Sequence, residues 1–249
     1  MKFRYWGKEG NPTIILLHGG GLSWWSFEKI IEEFKDKFYV VAVIIDGHSD
    51  DAENTFISIE DSSSKLIRHI DEKCDKKVFA LMGLSIGAQI ITEIISTRKD
   101  ITQYAIIESA LIFPLKLPKW LTFLSVESSY WLIRKKWFSK LQAKSLLLPK
   151  EMLPRYYEDS IKISKQTLVN ISLSNGNYSL KKSIEDTASK TLIIVGSKEL
   201  KIMIKSAEEL HKIISNSNLF VAKNMKHGEL SLQHPDLYVK IITDFWNNK

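Results

Sequence analysis

The segment LMGLSIGAQIITEI, residues 81–94, sets a serine between two glycines where a continuous apolar run gives way to helical spacing. A hydroxyl exposed at such a strand-to-helix junction is placed for nucleophilic attack, provided the turn is tight and strained enough to hold it outward. Gly83 and Gly87 lack the Cβ atoms that a turn of that kind would bring into collision. Ser85 is therefore the candidate nucleophile. The backbone N–H of Ile86, unpaired in the first turn of the helix, is a candidate donor to an oxyanion.

A serine hydroxyl is a weak nucleophile without a base and a third group that orients the base. Of the six histidines, His227 alone follows the last apolar run and sits beside a glycine, in MKHGELSLQHPDLY, 225–238. His69 and His211 lie inside helical patterns, His234 precedes Pro235 at a helix entry, and His18 and His48 belong to loops after the first two strong runs. For the acid, LIIVGSKELK (192–201) places Glu199 three residues beyond Gly196, where its carboxylate can fix the His227 tautomer. The same carboxylate would also suit the positive end of the helix that follows. Glu108, in AIIESAL (105–111), is the alternative acid. The order Ser85, Glu199, His227 is nucleophile, acid, histidine.

In LLHGGGLSWW, 16–25, three successive glycines free backbone N–H groups of side-chain obstruction. Such a loop suits a second oxyanion donor. Gly20 is the choice, with Gly19 or Gly21 as alternatives, and His18 is read as a buttress rather than a proton carrier. A plain strand-to-helix connection is the competing reading of the loop.

These residues need elements to hold them. The runs at 13–19, 39–46, 77–83, 103–111, 191–196 and 218–224 are nearly unbroken apolar segments, as strands buried on both faces of a parallel sheet are. Segments with apolar spacing of three and four lie between them, and a last helix begins at Pro235. That alternation predicts an open, mostly parallel α/β sheet flanked by helices. It breaks once: residues 112–190 read as helical and basic, with apolar positions at Trp120, Leu124, Trp131 and Phe138. So long a stretch is not a bare loop. It predicts a helical lid, with 1–111 and 191–249 forming the core. Its aromatics would face an acyl or aryl substrate or else fasten the lid to the sheet.

Composition narrows the class. The net charge of +6 is concentrated in 112–190, which carries 14 Lys/Arg against 6 Asp/Glu. That field is either a solvated surface or a guide for anionic substrates. No zinc-ligand spacing, phosphate-binding loop or nucleic-acid module occurs, so neither metal, cofactor nor nucleic acid is expected. A single cysteine, Cys74, excludes an internal disulfide. The start MKFRYWGKEGNPT has no apolar signal region, and no stretch suits a membrane span. A cytoplasmic protein is expected.

HGGG at 18–21, DGHSD at 46–50, GLSIG at 83–87, GSKE at 196–199 and HGE at 227–229 together resemble the α/β-hydrolase superfamily, specifically its lid-bearing, single-domain serine hydrolases of esterase or lipase type. The resemblance spans nearly the whole chain. It implies the α/β-hydrolase fold with a helical cap inserted after the sixth strand, Ser85 as nucleophile, His227 as base, Glu199 as acid, and a small-molecule ester or acyl substrate. A serine at position 85 separates the chain from dehalogenase and epoxide-hydrolase relatives, which use aspartate there. Three features depart from the family pattern: Glu in place of the more usual Asp, DGHSDD where a glycine-flanked G-H-G is usual, and room for one leading strand rather than two. The expected activity is cleavage of a carboxylic ester or thioester. The alternatives are a lyase or C–C bond hydrolase using the same three residues on an anionic substrate, and a non-catalytic ligand-binding relative.

Overall fold

The computed structural model of the protein describes residues 1–247. In chain order the strands are β1 (Lys2–Trp6), β2 (Thr13–Leu17), β3 (Tyr39–Ile44), β4 (Val78–Leu84), β5 (Thr102–Glu108), β6 (Lys190–Gly196) and β7 (Ser217–Ala222). They form one sheet ordered β1-β3-β2-β4-β5-β6-β7, in which β1 alone runs antiparallel. The α-helices between β2 and β5 are α1 (Glu28–Phe34), α2 (Ile59–Lys73) and α3 (Ile86–Thr97). Four follow β5: α4 (Lys119–Ser129), α5 (Lys136–Ser145), α6 (Leu153–Ser160) and α7 (Lys165–Asn177). The chain ends with α8 (Lys201–Ile213), α9 (Glu229–Gln233) and α10 (Pro235–Asn247).

The unbroken apolar runs are explained by burial on both sides. Within β2, Ile14 and Leu16 face one core while Ile15 and Leu17 face the other. The first core is closed by Ile30, Ile31 and Phe34 of α1 and by Tyr238, Ile242 and Phe245 of α10. The second is closed by Leu66 and Ile70 of α2, Ile90, Ile91 and Ile94 of α3, and Leu210 of α8.

One short leading strand, β1, forms, and the helical insertion follows the fifth strand of this chain rather than the sixth that the resemblance implies, because one leading strand fewer precedes it than the resemblance implies. The insertion is bonded to the loops beyond β2 and β3. Trp25 donates its indole N–H to Asp159 (2.8 Å), Asn170 donates to the Phe56 carbonyl (2.7 Å), and the Ile59 amide donates to Ser174 Oγ (2.9 Å). The aromatic positions at 112–190 require a correction. Trp120, Leu124 and Trp131 do not fasten the helices to the sheet; all three are exposed, and Phe138 is half-buried.

Candidate active site

The turn between β4 and α3 has the strain that its sequence suggests. Ser85 sits at φ 56°, ψ −115°, a conformation costing a non-glycine residue about 1–3 kcal/mol. Its amide donates to the Glu108 carbonyl (2.9 Å), so the end of β5 holds the turn in place. A Cβ on Gly83 would lie 2.6 Å from the Gly87 carbonyl carbon, and one on Gly87 would lie 2.2 Å from the Leu17 carbonyl oxygen. Neither position accepts a side chain. The second approach also draws the start of α3 against the end of β2, and a Cβ on Gly20 would stand 3.8 Å from Ile86 Cγ2. The two expected oxyanion donors are thus neighbours.

The glycine loop is fixed by two histidines. His18 is buried; its Nε2 accepts from the Ile45 amide (3.1 Å), which leaves Nδ1–H to donate to the Gly19 carbonyl (2.9 Å). Burial, reinforced by neighbouring His48, pushes its pKa down to about 3, so it stays neutral. His48 is also buried, with a pKa lowered by burial; its Nε2 accepts from the Gly21 amide (3.1 Å) and its Nδ1–H donates to the Asp46 carbonyl (3.1 Å). Gly21 is thereby engaged, whereas the Gly20 amide has no hydrogen-bond partner among the described residues.

Glu199 and His227 come together because the loops after β6 and β7 are tied. The Lys198 amide donates to the Met225 carbonyl (2.8 Å), the Asn224 amide donates to Ser197 Oγ (2.8 Å), and a Cβ on Gly196 would lie 2.3 Å from the Met225 carbonyl oxygen. Across this junction His227 Nδ1 meets Glu199 Oε2 at 2.8 Å. The other carboxylate oxygen accepts from the Gly196 amide (2.8 Å) and from Ser109 Oγ (2.7 Å). Burial raises the Glu199 pKa, but the bonds from His227, Gly196 and Ser109 outweigh it and hold the group below the usual carboxylate range. An ionised carboxylate only accepts, so Nδ1 carries the imidazole proton and Nε2 is left as the base.

Glu108 takes no part in this contact. Its carboxylate accepts from the Ser231 amide (3.3 Å) of α9, and burial pushes its pKa up to about 7. Ser85 and His227 share the wall of a cavity of about 280 Å³ with Gln89, Ser109, Asn175 and Glu199; no hydrogen bond joins them directly. Ser85, Gly20 and Gly21 also line a second cavity of about 510 Å³, walled by Leu117, Ile133, Leu146, Leu168 and Ile171 of the insertion. Neither cavity is lined by a lysine or arginine. Sequence reading missed His48, Ser109 and Gln89. The DGHSD segment marked the His48 loop without giving His48 a role, and nothing local marked the other two.

The model of the alpha/beta hydrolase family matches residues 14–240. The chain belongs to that family. Among curated proteins it is similar to the uncharacterized hydrolase YugF of Bacillus subtilis (strain 168), at 23% identity over 98% of this chain and 93% of that one. Among solved structures of the same fold, MenH from S. aureus superposes with a TM-score of 0.77 at 18% identity, covering 98% of this chain and 97% of that chain. The enol-lactonase from Burkholderia xenovorans LB400 superposes with a TM-score of 0.79 at 14% identity, covering 99% and 96%. No group of three or more metal-ligating side chains occurs among the described residues of this alpha/beta hydrolase, and no described helix is long and apolar enough to cross a membrane.

Proposed function

We propose that the protein is a serine hydrolase cleaving a carboxylic ester or thioester of a small to medium acyl substrate through an acyl-enzyme. The observation that carries this reading is the 2.8 Å His227–Glu199 contact on the wall of the cavity that also exposes the strained Ser85. His227 Nε2 takes the Ser85 proton as Oγ attacks the carbonyl carbon. The carbonyl π pair moves onto oxygen, and the oxyanion rests on the N–H groups of Ile86 and Gly20. Collapse breaks the bond to the leaving alkoxide or thiolate, which takes the proton from His227. Water, deprotonated by His227, then releases the acid and restores Ser85.

The cavities favour an uncharged acyl group. The larger one offers aliphatic walls beside Gly20, and the smaller one leaves space at His227 for the leaving group and water. The insertion 112–190 serves as the lid over the 1–111 and 191–249 core, since its inner residues wall the larger cavity. The absence of lysine and arginine from either wall favours the ester reading over a lyase or C–C hydrolase of acidic substrates. Similar solved structures include the enol-lactonase and carboxylesterase CesB from Bacillus subtilis, both named for acyl–oxygen chemistry.

A fluorophosphonate probe with mass-spectrometric site mapping, followed by a panel of p-nitrophenyl esters and acyl thioesters, tests the reading. Labelling at Ser85 and ester turnover are expected, with Ser85→Ala and His227→Ala each losing at least about 1000-fold in kcat and keeping the parent circular dichroism. A reactive Ser85 inert to every ester and thioester would transfer the case to C–C bond chemistry. An unreactive Ser85 would leave a binding protein.

A further inference from the structure

The outer surface of the insertion has a second character. Trp120 is 66% exposed, Trp131 58%, Trp137 60% and Leu141 58%, joined by Leu121, Phe123 and Leu124. Isolated exposed apolar residues need no explanation, but seven of them on consecutive helical elements of one insertion do. On α4 the arrangement is inverted. At 100° per residue Trp120, Leu121, Phe123 and Leu124 lie on the side opposite the half-buried Thr122, Val126 and Ser129. On α5 the exposed residues Trp137, Lys140, Leu141 and Lys144 follow one another at i, i+3, i+4 and i+7, a single outward stripe of alternating apolar and cationic character. Trp131 lies between the helices, with Lys135 Nζ 5.9 Å from its ring centroid.

We propose that this face is a docking surface for an anionic lipid bilayer, on which the protein lies without spanning it. Interleaved tryptophan, leucine and lysine match an interface whose outer layer is anionic and whose next layer is apolar. Lys119, Arg134, Lys135, Lys136, Lys140 and Lys144 are exposed, and none is in an ion pair among the described residues. Glu127 is the one acid between positions 116 and 150, and Lys165 pairs with it at 2.7 Å. The same charges disfavour a second copy as occupant. A twofold contact would set these cations against one another, and lysine is depleted at the centre of protein interfaces. The inner side of α5 contributes Gln142, and the residues that end it, Ser145 and Leu146, also wall the Ser85 cavity. A docked protein therefore holds that cavity one helix away from lipid. In this respect the inference rests on the ester-hydrolase reading.

Co-sedimentation of the full chain with phosphatidylcholine vesicles, with and without about 30% phosphatidylglycerol, tests it. Partition onto the anionic vesicles should exceed that onto the zwitterionic ones at least about tenfold, and should fall steeply between about 0.15 M and about 0.5 M salt. Trp137→Ser/Leu141→Ser and Lys140→Glu/Lys144→Glu should each reduce partition about tenfold or more while turnover of soluble p-nitrophenyl butyrate stays within about twofold. Equal partition onto both vesicle types, no partition onto anionic ones, or unaltered partition of both variants overturns the proposal. So does self-association by sedimentation velocity that the Trp137→Ser/Leu141→Ser variant abolishes. Ser85→Ala should partition as the parent does, so that failure of the catalytic reading and failure of docking are separate results.

Discussion

Glu199 shows how a single carboxylate can be committed to one partner. It has lost most of its water, yet three donors surround it: His227 Nδ1, the Gly196 amide and Ser109 Oγ. Together they keep it ionised, and an ionised Glu199 keeps the His227 proton on Nδ1. A glutamine at 199 presents an N–H₂ group or an oxygen to the same imidazole and no longer dictates the tautomer. Glu199→Gln should therefore lower kcat by about 100- to 10,000-fold with little change in KM, read by steady-state kinetics on a soluble ester. Glu108→Gln, aimed at Ser231 instead, should stay within about threefold of the parent. The reverse pattern would move the acid role to Glu108.

At the level of elements, the glycine loop after β2 depends on a loop that β3 delivers. His48 accepts the Gly21 amide from there, which fixes the direction of the neighbouring Gly20 N–H. His48→Phe keeps a ring in the space but leaves the Gly21 amide without an acceptor. It should lower kcat about tenfold with KM within about twofold, and His48→Gln, which restores an acceptor, should recover part of the loss. Such supports were illegible in the sequence because each joins polar atoms from distant parts of the chain, as Ser109 joins Glu199 across 90 positions. The strands were legible for the opposite reason: burial on both faces writes itself as a continuous apolar run, and glycines beside the turns and loops that follow them marked Ser85, Glu199 and His227 as candidates. The helices of 112–190 were legible as helices. Periodicity shows which residues share a side but not where that side points, so the outward Trp120 and Trp131 read as inward ones.

For the whole molecule, buried ionisable groups at the ends of different strands set opposing pH trends. The folded-state pKa of His18 lies at about 3 against 6.5 for the free side chain, so the unfolded chain takes up a proton that the folded one refuses. Its contribution is complete above about pH 6.5 and is lost as pH falls toward 3, and that of His48 shifts in the same direction. Glu108 does the opposite. Its pKa rises from 4.5 to about 7, so its contribution is complete below 4.5 and is lost as pH rises through 7. Between pH 7 and 4.5 acidification therefore strengthens the fold at Glu108 while weakening it at the two histidines. Glu108→Gln removes the first trend and leaves the second. Whatever fixed cost or gain the amide brings, it does not vary with pH, so the stability of parent minus variant isolates the carboxyl group. That difference should shift by about 3 kcal/mol in favour of the parent between pH 8 and pH 4.5, measured by urea unfolding across the range. Parallel stability curves for the two proteins would mean that Glu108 ionises in the fold as readily as in the unfolded chain, and that the burial seen at the end of β5 is open to water.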